Sequence, residues 1–275
     1  MALTVNTNMA AMGAANTLNN TQGALSSTLA RVSSGLRVTK AADDAAGQAV
    51  AANLSTQARS GKQAIRNAND GISVIQTGEA ASKEVISILD RMRELAVQSS
   101  SETLEDGERA YIDAEFHQLS DEVERISQSN EFNDIKLSNG DNATLEVQVG
   151  VDASSNSRVA ITLGDVSTDN LSVETTDIDL TSASGSQTAI TTIDAAIDSV
   201  NSIRASYGAV QNRLESSINN MGAYVESLSA AASQIQDADY AHETAEMTRL
   251  QVMQQAGVAA LGQARGMNQS VLSLL

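Results

Sequence analysis

The feature that most restricts this chain is a stripe. From Ile190 to Ile235 large apolar residues return at intervals of three and four, through Ile193, Ile197, Val200, Tyr207, Val210, Leu214, Ile218, Met221, Val225 and Leu228. No proline interrupts the run, and none occurs elsewhere in the 275 residues. Such spacing keeps apolar side chains on one face of a helix with about 3.6 residues per turn, and a stripe this long exceeds an ordinary globular helix. It demands packing partners along its whole length.

Candidate partners lie upstream. Leu18, Leu25, Leu29, Val32 and Leu36 fall on coiled-coil spacing, with Gln22 in the missing place. A second helical pattern covers roughly 43–99 and includes Ile72, Ile75, Ile86, Leu89 and Met92. After the polar stretch SSSETLEDGE, Ile112, Phe116, Leu119, Val123 and Ile126 mark another amphipathic helix, ending near Asn130. The period then changes. Leu145, Val147, Val149 and Val151 alternate with polar residues, as do Val159, Ile161 and Leu163 after the turn-rich DASSNS, which predicts a β-hairpin over 143–163.

The final segment has a different rhythm. Leu250, Leu261 and Leu272 lie eleven apart, as do Met253, Ala264 and Leu275, so this stripe runs nearly straight along a helix that wants a parallel wall of neighbours. The 164–188 stretch is acidic, Ser/Thr-rich and short of large apolar groups, and reads as an exposed connection.

Composition supports a mostly helical protein. Aromatics make up only 2% of the chain and Trp and Cys are absent, whereas sandwiches and barrels lean on aromatic cores. The net charge of −17 argues against nucleic-acid binding, which depends on Lys and Arg neutralising phosphates. No run of 18 apolar residues is present, and MALTVNTNMAAMG lacks the basic start and apolar block of a cleaved signal, so neither membrane insertion nor the general secretory route is expected. Residues 1–42 contain Arg31, Arg37 and Lys40 but no acid, and 247–275 contain Arg249 and Arg265 but no acid. These weakly charged ends also lack aromatics and are poorly equipped to order alone.

Chemistry finds little support. His242-Glu243-Thr244-Ala245-Glu246 begins like the HExxH zinc motif, but Glu246 stands where the second His is needed. The glycines form neither GxGxxG nor GxxxxGKS. Asp43 and Asp44 near Lys40 have no nucleophile or third ligand beside them, and read as acids at a helix start. No catalytic, metal or cofactor site is expected.

Several blocks together resemble bacterial flagellin, the filament subunit of the flagellum. They are VSSGLRVTKAADDAAGQAV (32–50), NANDGISVIQTGEAA (67–81), RMRELAVQSS (91–100), NEFNDIKL (130–137), YGAVQNRLESSINNM (207–221), IQDADYAHETAEMTRLQVMQQAG (235–257) and QSVLSLL (269–275). The resemblance implies long antiparallel helices. An inner-tube domain would form from 1–42 and 236–275, packed through Leu18, Leu25, Leu29, Val32, Leu250, Leu261, Leu272 and Leu275. A wall domain, a helix bundle with a small β-hairpin, would form from 43–165 and 189–235, with 166–188 replacing the large outer domains of longer relatives.

The same resemblance implies further expectations. The subunit polymerises with copies of itself into an extracellular filament for swimming. It leaves the cell unfolded through the flagellar type III apparatus, served by an export chaperone, a filament cap and hook-junction proteins, and its termini order on assembly. Ser34, Gly35, Leu36, Arg37, Asp43 and Asp44 would build the spoke between tube and wall. Arg91, Leu95 and Glu115 match positions that Toll-like receptor 5 grips in many flagellins, and the same side chains suit lateral subunit contacts. Leu272, Leu274 and Leu275 resemble the segment read by cytosolic sensors, without the family's frequent final Arg. The nearest rival is a hook-filament junction protein, against which the intact RELAVQ and NRLESSI blocks argue. An enzyme in the variable region and a cytoplasmic coiled-coil adaptor are the rivals from other classes.

Overall fold

The computed structural model describes residues 7–176 and 178–272, with side chains as far as Gly266. The chain divides into two compact units, one of 1–57 with 226–275 and one of 58–225. The boundaries between these units fall inside two long helices. Nothing in the local sequence stops those helices, because neither Pro nor a left-handed glycine interrupts them.

The first unit begins with α1 (Met9–Ser34), started by the Asn8 side chain accepting from the Ala11 amide at 2.9 Å. It stops at Gly35, whose φ of 72° lets its amide turn back to the Arg31 carbonyl at 2.8 Å. A residue with a Cβ resists that left-handed conformation, so glycine sets the end of the helix. The unit also holds the first turns of α2 (Ala45–Ser99), the last turns of α5 (Ala183–Gln236) and α6 (Tyr240–Leu272).

The second unit packs α2, α5 and α3 (Asp106–Ser129) with two small antiparallel ribbons. β1 (Glu131–Phe132) pairs with β2 (Ile135–Lys136), and β3 (Thr144–Gln148) pairs with β4 (Arg158–Thr162). The second ribbon has Leu145 opposite Ile161 and Val147 opposite Val159, so the alternation read from the sequence puts one apolar face inward.

Two apolar clusters fill this unit. One joins Leu89, Met92 and Leu95 of α2 to Phe116 and Val123 of α3 and Ile193 and Val200 of α5. The other packs Val147, Val159 and Ile161 of the ribbon on Val74 and Ile75 of α2 and on Tyr207 and Leu214 of α5. Tyr207 is fully buried, and its hydroxyl accepts from the Gly164 amide at 3.0 Å. The ring also lies where a Cβ on Gly78 would stand, 3.2 Å from its edge, so that glycine lets α2 and α5 approach.

The 164–188 stretch departs from expectation. It is acidic, but Val166, Val173 and Leu180 have no exposed surface, and Leu171 of the short helix α4 (Thr168–Leu171) is buried beside them. The few apolar residues suffice because neighbouring helices satisfy the backbone between them. Ser120 donates to the Val173 carbonyl at 2.7 Å, Ser99 donates to that of Leu180 at 2.6 Å, and Asp113 accepts from the Leu180 amide at 3.0 Å. Glu124 accepts from both the amide and the hydroxyl of Thr168. A segment without strand partners can be buried when side chains replace the missing ladder. α5 accordingly starts at Ala183, ahead of the expected 189.

Candidate assembly surfaces

The spoke residues form a strap inside the first unit. Leu36 bridges to Asp237 in antiparallel fashion, with the Arg37 amide donating to Gln236 at 2.6 Å and the Ala238 amide donating to Gly35 at 2.9 Å. The Arg37 guanidinium reaches the Ile235 carbonyl at 2.7 Å, placing a cation on the orphan carbonyls at the C-terminus of α5. Ser34 accepts from the Leu36 amide at 3.2 Å. These bonds tie the two ends of the chain together where α1 stops and α6 begins.

The paired carboxylates divide their work. Asp44 caps α2 by accepting from the Gly47 amide at 2.8 Å, and a Cβ on Gly47 would collide with that carboxylate. Asp43 turns back instead, accepting from the Thr39 hydroxyl at 3.0 Å and from the Thr39 and Lys40 amides at 3.1 Å each. The Thr39 hydroxyl, and then the two amides, hold Asp43 below the ordinary carboxylate range. The Arg37, Asp43 and Asp44 side chains are spent mainly on backbone groups. Among the described residues no group of three His, Cys, Asp or Glu side chains is placed to hold a metal ion.

α1 and α6 pair in antiparallel fashion. The Asn8 side chain donates to the Ala264 carbonyl at 2.9 Å, Leu18 lies over Gly257, Gln22 bonds Gln254, and Arg31 faces Glu243 at 3.5 Å. Leu250 is 4% exposed in this seam, while Leu18, Leu25, Val32 and Leu261 are half-buried. Thr21 and Thr28, not Gln22, complete the seam of α1, and the Thr21 hydroxyl is satisfied by the Thr17 carbonyl at 2.9 Å. Sequence reasoning missed them because a threonine at a core position looks polar. The seam of α6 likewise takes in Glu243, which turns away from exposed His242 towards Arg31.

Leu29 departs from its expected role within the single chain. It is 55% exposed, because the seam places Thr28 inward and so turns the next residue out. Met9 and Met12 of α1 and Val252, Met253 and Val258 of α6 are also exposed. α6 therefore has a seam of coiled-coil spacing towards α1 and an apolar remainder that the chain itself leaves uncovered. Leu274 and Leu275 lie outside the described residues, as does the side chain of Leu272.

The receptor-matching residues separate into two groups. Arg91 and Glu115 are exposed and joined at 2.8 Å across α2 and α3, and Arg91 also reaches Glu94 at 2.9 Å. Leu95 is 1% exposed in the core, so within this chain it cannot be a contact residue on that surface. The stripe Met92, Leu95, Ala96 and Ser99 faces inward, which places Val97 outward instead. Exposed Val97 and Tyr111 are residues the sequence reading passed over, although Val97 is out of phase with the buried stripe.

This arrangement of two chain ends tied by a strap, a helix pair and a bundle with a ribbon has counterparts among known proteins. Residues 5–143 match the bacterial flagellin N-terminal helical region, and residues 190–275 match the bacterial flagellin C-terminal helical region. This chain belongs to the bacterial flagellin family. A flagellin of Halalkalibacterium halodurans is 41% identical over 271 residues, covering 98% of this chain and 99% of the relative. A flagellin of Bacillus subtilis is 37% identical over 98% of this chain and 99% of its own length. A crystal structure of Bacillus cereus flagellin superposes with a TM-score of 0.50 at 30% identity, over 57% of this chain and 88% of that one. The flagellin family supplies structural subunits of the extracellular flagellar filament, not enzymes, and its members polymerise as homopolymers. No described helix is long and apolar enough to cross a membrane.

Proposed function

We propose that this flagellin is exported unfolded through the flagellar type III apparatus and that its two ends acquire lasting order only in the filament. The observation that carries this reading is the uncovered apolar surface of α1 and α6, at Met9, Met12, Leu29, Val252, Met253 and Val258. A pair of helices whose seam includes two threonines, a glycine and a buried glutamate paired with a partly exposed arginine buries little apolar area. The entropy of ordering those residues is then offset by contacts that neighbouring subunits supply.

In this scheme Leu18, Leu25, Val32, Leu250 and Leu261 hold the helix pair, while Leu29 packs between copies. The strap of Ser34, Gly35, Leu36, Arg37, Asp43 and Asp44 sets where tube gives way to wall. An export chaperone would cover the apolar ends before export, and the cap and hook-junction proteins would meet them during growth. The Arg91–Glu115 pair supplies the exposed polar part of a surface for Toll-like receptor 5, and Leu95 supports it from beneath. The absence of proline suits a chain that refolds at the tip of a growing filament, since no slow isomerisation intervenes.

Hydrogen exchange on monomer and filament tests the scheme. Amides of 9–34 and 240–266 should exchange freely in the monomer and be protected in the filament, whereas 85–126 should be protected in both. Equal protection of the ends in the monomer would overturn it. Deletion of the gene should leave the hook and its cap without a filament; filament subunits spilling into the medium would instead assign the chain to the hook-filament junction.

A further inference from the structure

The second unit carries its charge unevenly along its length. At one end residues 61–71 of α2 lie against 214–225 of α5, as the packing of Gly61 on Met221 and Val225 and of Gly71 on Leu214 requires. Lys62, Arg66, Arg158 and Arg213 are exposed there, against Asp70, Glu146, Asp152 and Glu215, and Arg158 is paired with Glu146 at 2.8 Å. Arg66 bonds the Gln63 side chain, and Glu215 accepts from Gln211 at 3.0 Å. Neither Lys62 nor Arg213 meets a carboxylate among the described residues. Arg213 lines a recess of about 450 Å³ with Asn212, Ser216, Ser217 and Asn220, floored by Val159. That recess offers a guanidinium, amides and hydroxyls, a set suited to receiving carboxylates.

The other end is acidic. The turn after Ser99 and the segment around Leu180 are joined by the bond from the Ser99 hydroxyl to the Leu180 carbonyl, at 2.6 Å. This gathers Glu102, Glu105, Asp106, Glu108 and Asp179 at one extremity. The nearby cation, Arg109, is buried and donates to the carbonyls of Ser99 and Ser101, so it offers the surface no positive charge. Glu102 and Asp106 meet no cation among the described residues. Residues 62 to 99 of one continuous helix separate the two ends, roughly 55 Å at about 1.5 Å per residue.

We propose that the Arg213 recess of one copy receives the acidic end, around Glu102 and Asp106, of the next copy. The occupant follows from charge. A chain of net charge −17 repels its own kind, and this contact sets cations that meet no carboxylate in the subunit against carboxylates that meet no cation. The ends lie many Debye lengths apart, so their attraction acts at the contact and not across the body of the subunit. Because the two patches differ, the contact is heterologous, and repetition without ring closure gives an open helical array. The inference rests on the polymerising role proposed above, to which it adds a surface and a polarity.

Complementation in trans tests it, with seeded polymerisation of the full chain read as the critical concentration. Arg213→Glu alone, and Glu102→Lys with Asp106→Lys alone, should each raise that concentration about tenfold. The second variant leaves the Glu105–Glu108 capping box in place. An equimolar mixture should recover native assembly, because each altered recess then meets an oppositely altered end. Circular dichroism should give native melting for both variants, and Asn220→Glu in the same recess replaces Arg213→Glu if it does not. Native assembly by the single-site variants, or a mixture no better than its components, would overturn the contact. Failure of the unaltered chain to polymerise would refute the function instead.

Discussion

Replacing Leu250 with alanine separates the stability of the subunit from the stability of the filament. Leu250 is 4% exposed in the seam of α6, so nearly all of its side chain is withdrawn from water by the α1 pairing. Leu→Ala removes three carbons, worth about 0.8 kcal/mol each in transfer, and leaves a cavity that two adjoining helices only partly close. The loss comes to about 3 kcal/mol. If the α1–α6 pair acquires lasting order only in the polymer, that loss is felt in assembly and not in folding of the second unit. The critical concentration of seeded polymerisation, measured by pelleting, should rise roughly a hundredfold at about 1.4 kcal/mol per factor of ten. The monomer's thermal transition should stay where it is. A lowered monomer transition with an unchanged critical concentration would refute the coupling, since the pair would then be part of the stable subunit.

Other predictions follow from individual contacts. Gly78→Ala places a Cβ 3.2 Å from the buried Tyr207 ring, and should lower the urea midpoint of the second unit by an overpacking cost of about 1–2 kcal/mol with little change in slope. Leu95→Ala should cost about 2–5 kcal/mol in the same experiment. Arg91→Ala should leave the midpoint nearly unchanged, because its partners Glu94 and Glu115 are exposed and can take up water. Asp43 has a depressed pKa in the folded chain, so its contribution is full above the unfolded value of about 3.9 and disappears as pH falls through the lower folded value. Carboxyl NMR should find it titrating below about 3.9 in the assembled or strap-ordered state; a value at or above that would remove the turn.

The helical character of the chain was legible because apolar spacing reports which face of a helix is buried. Phe116, Val123, Ile193, Val200 and Leu214 all fall where their stripes place them, and the ribbon's alternation gives its inward face. The segment around Gly35 was legible as a break but not as a strap. Its bonds join residues about 200 positions apart, between Arg37 and Ile235, and no local pattern encodes such a partner.

What the sequence determined by itself was periodic: helix, ribbon, uneven charge, and a family signature at both ends. Tertiary structure alone decided which of two adjacent residues faces inward, turning Thr28 into the seam and Leu29 out, and Leu95 in with Val97 out. It also decided the fate of the 164–188 stretch, whose composition reads as solvent-facing. Burial there depends on Ser99, Asp113, Ser120 and Glu124, which lie far away in sequence and satisfy its backbone once the helices are in place. Composition measures the preference of a segment for water, but burial depends on whether distant polar groups can take the water's place.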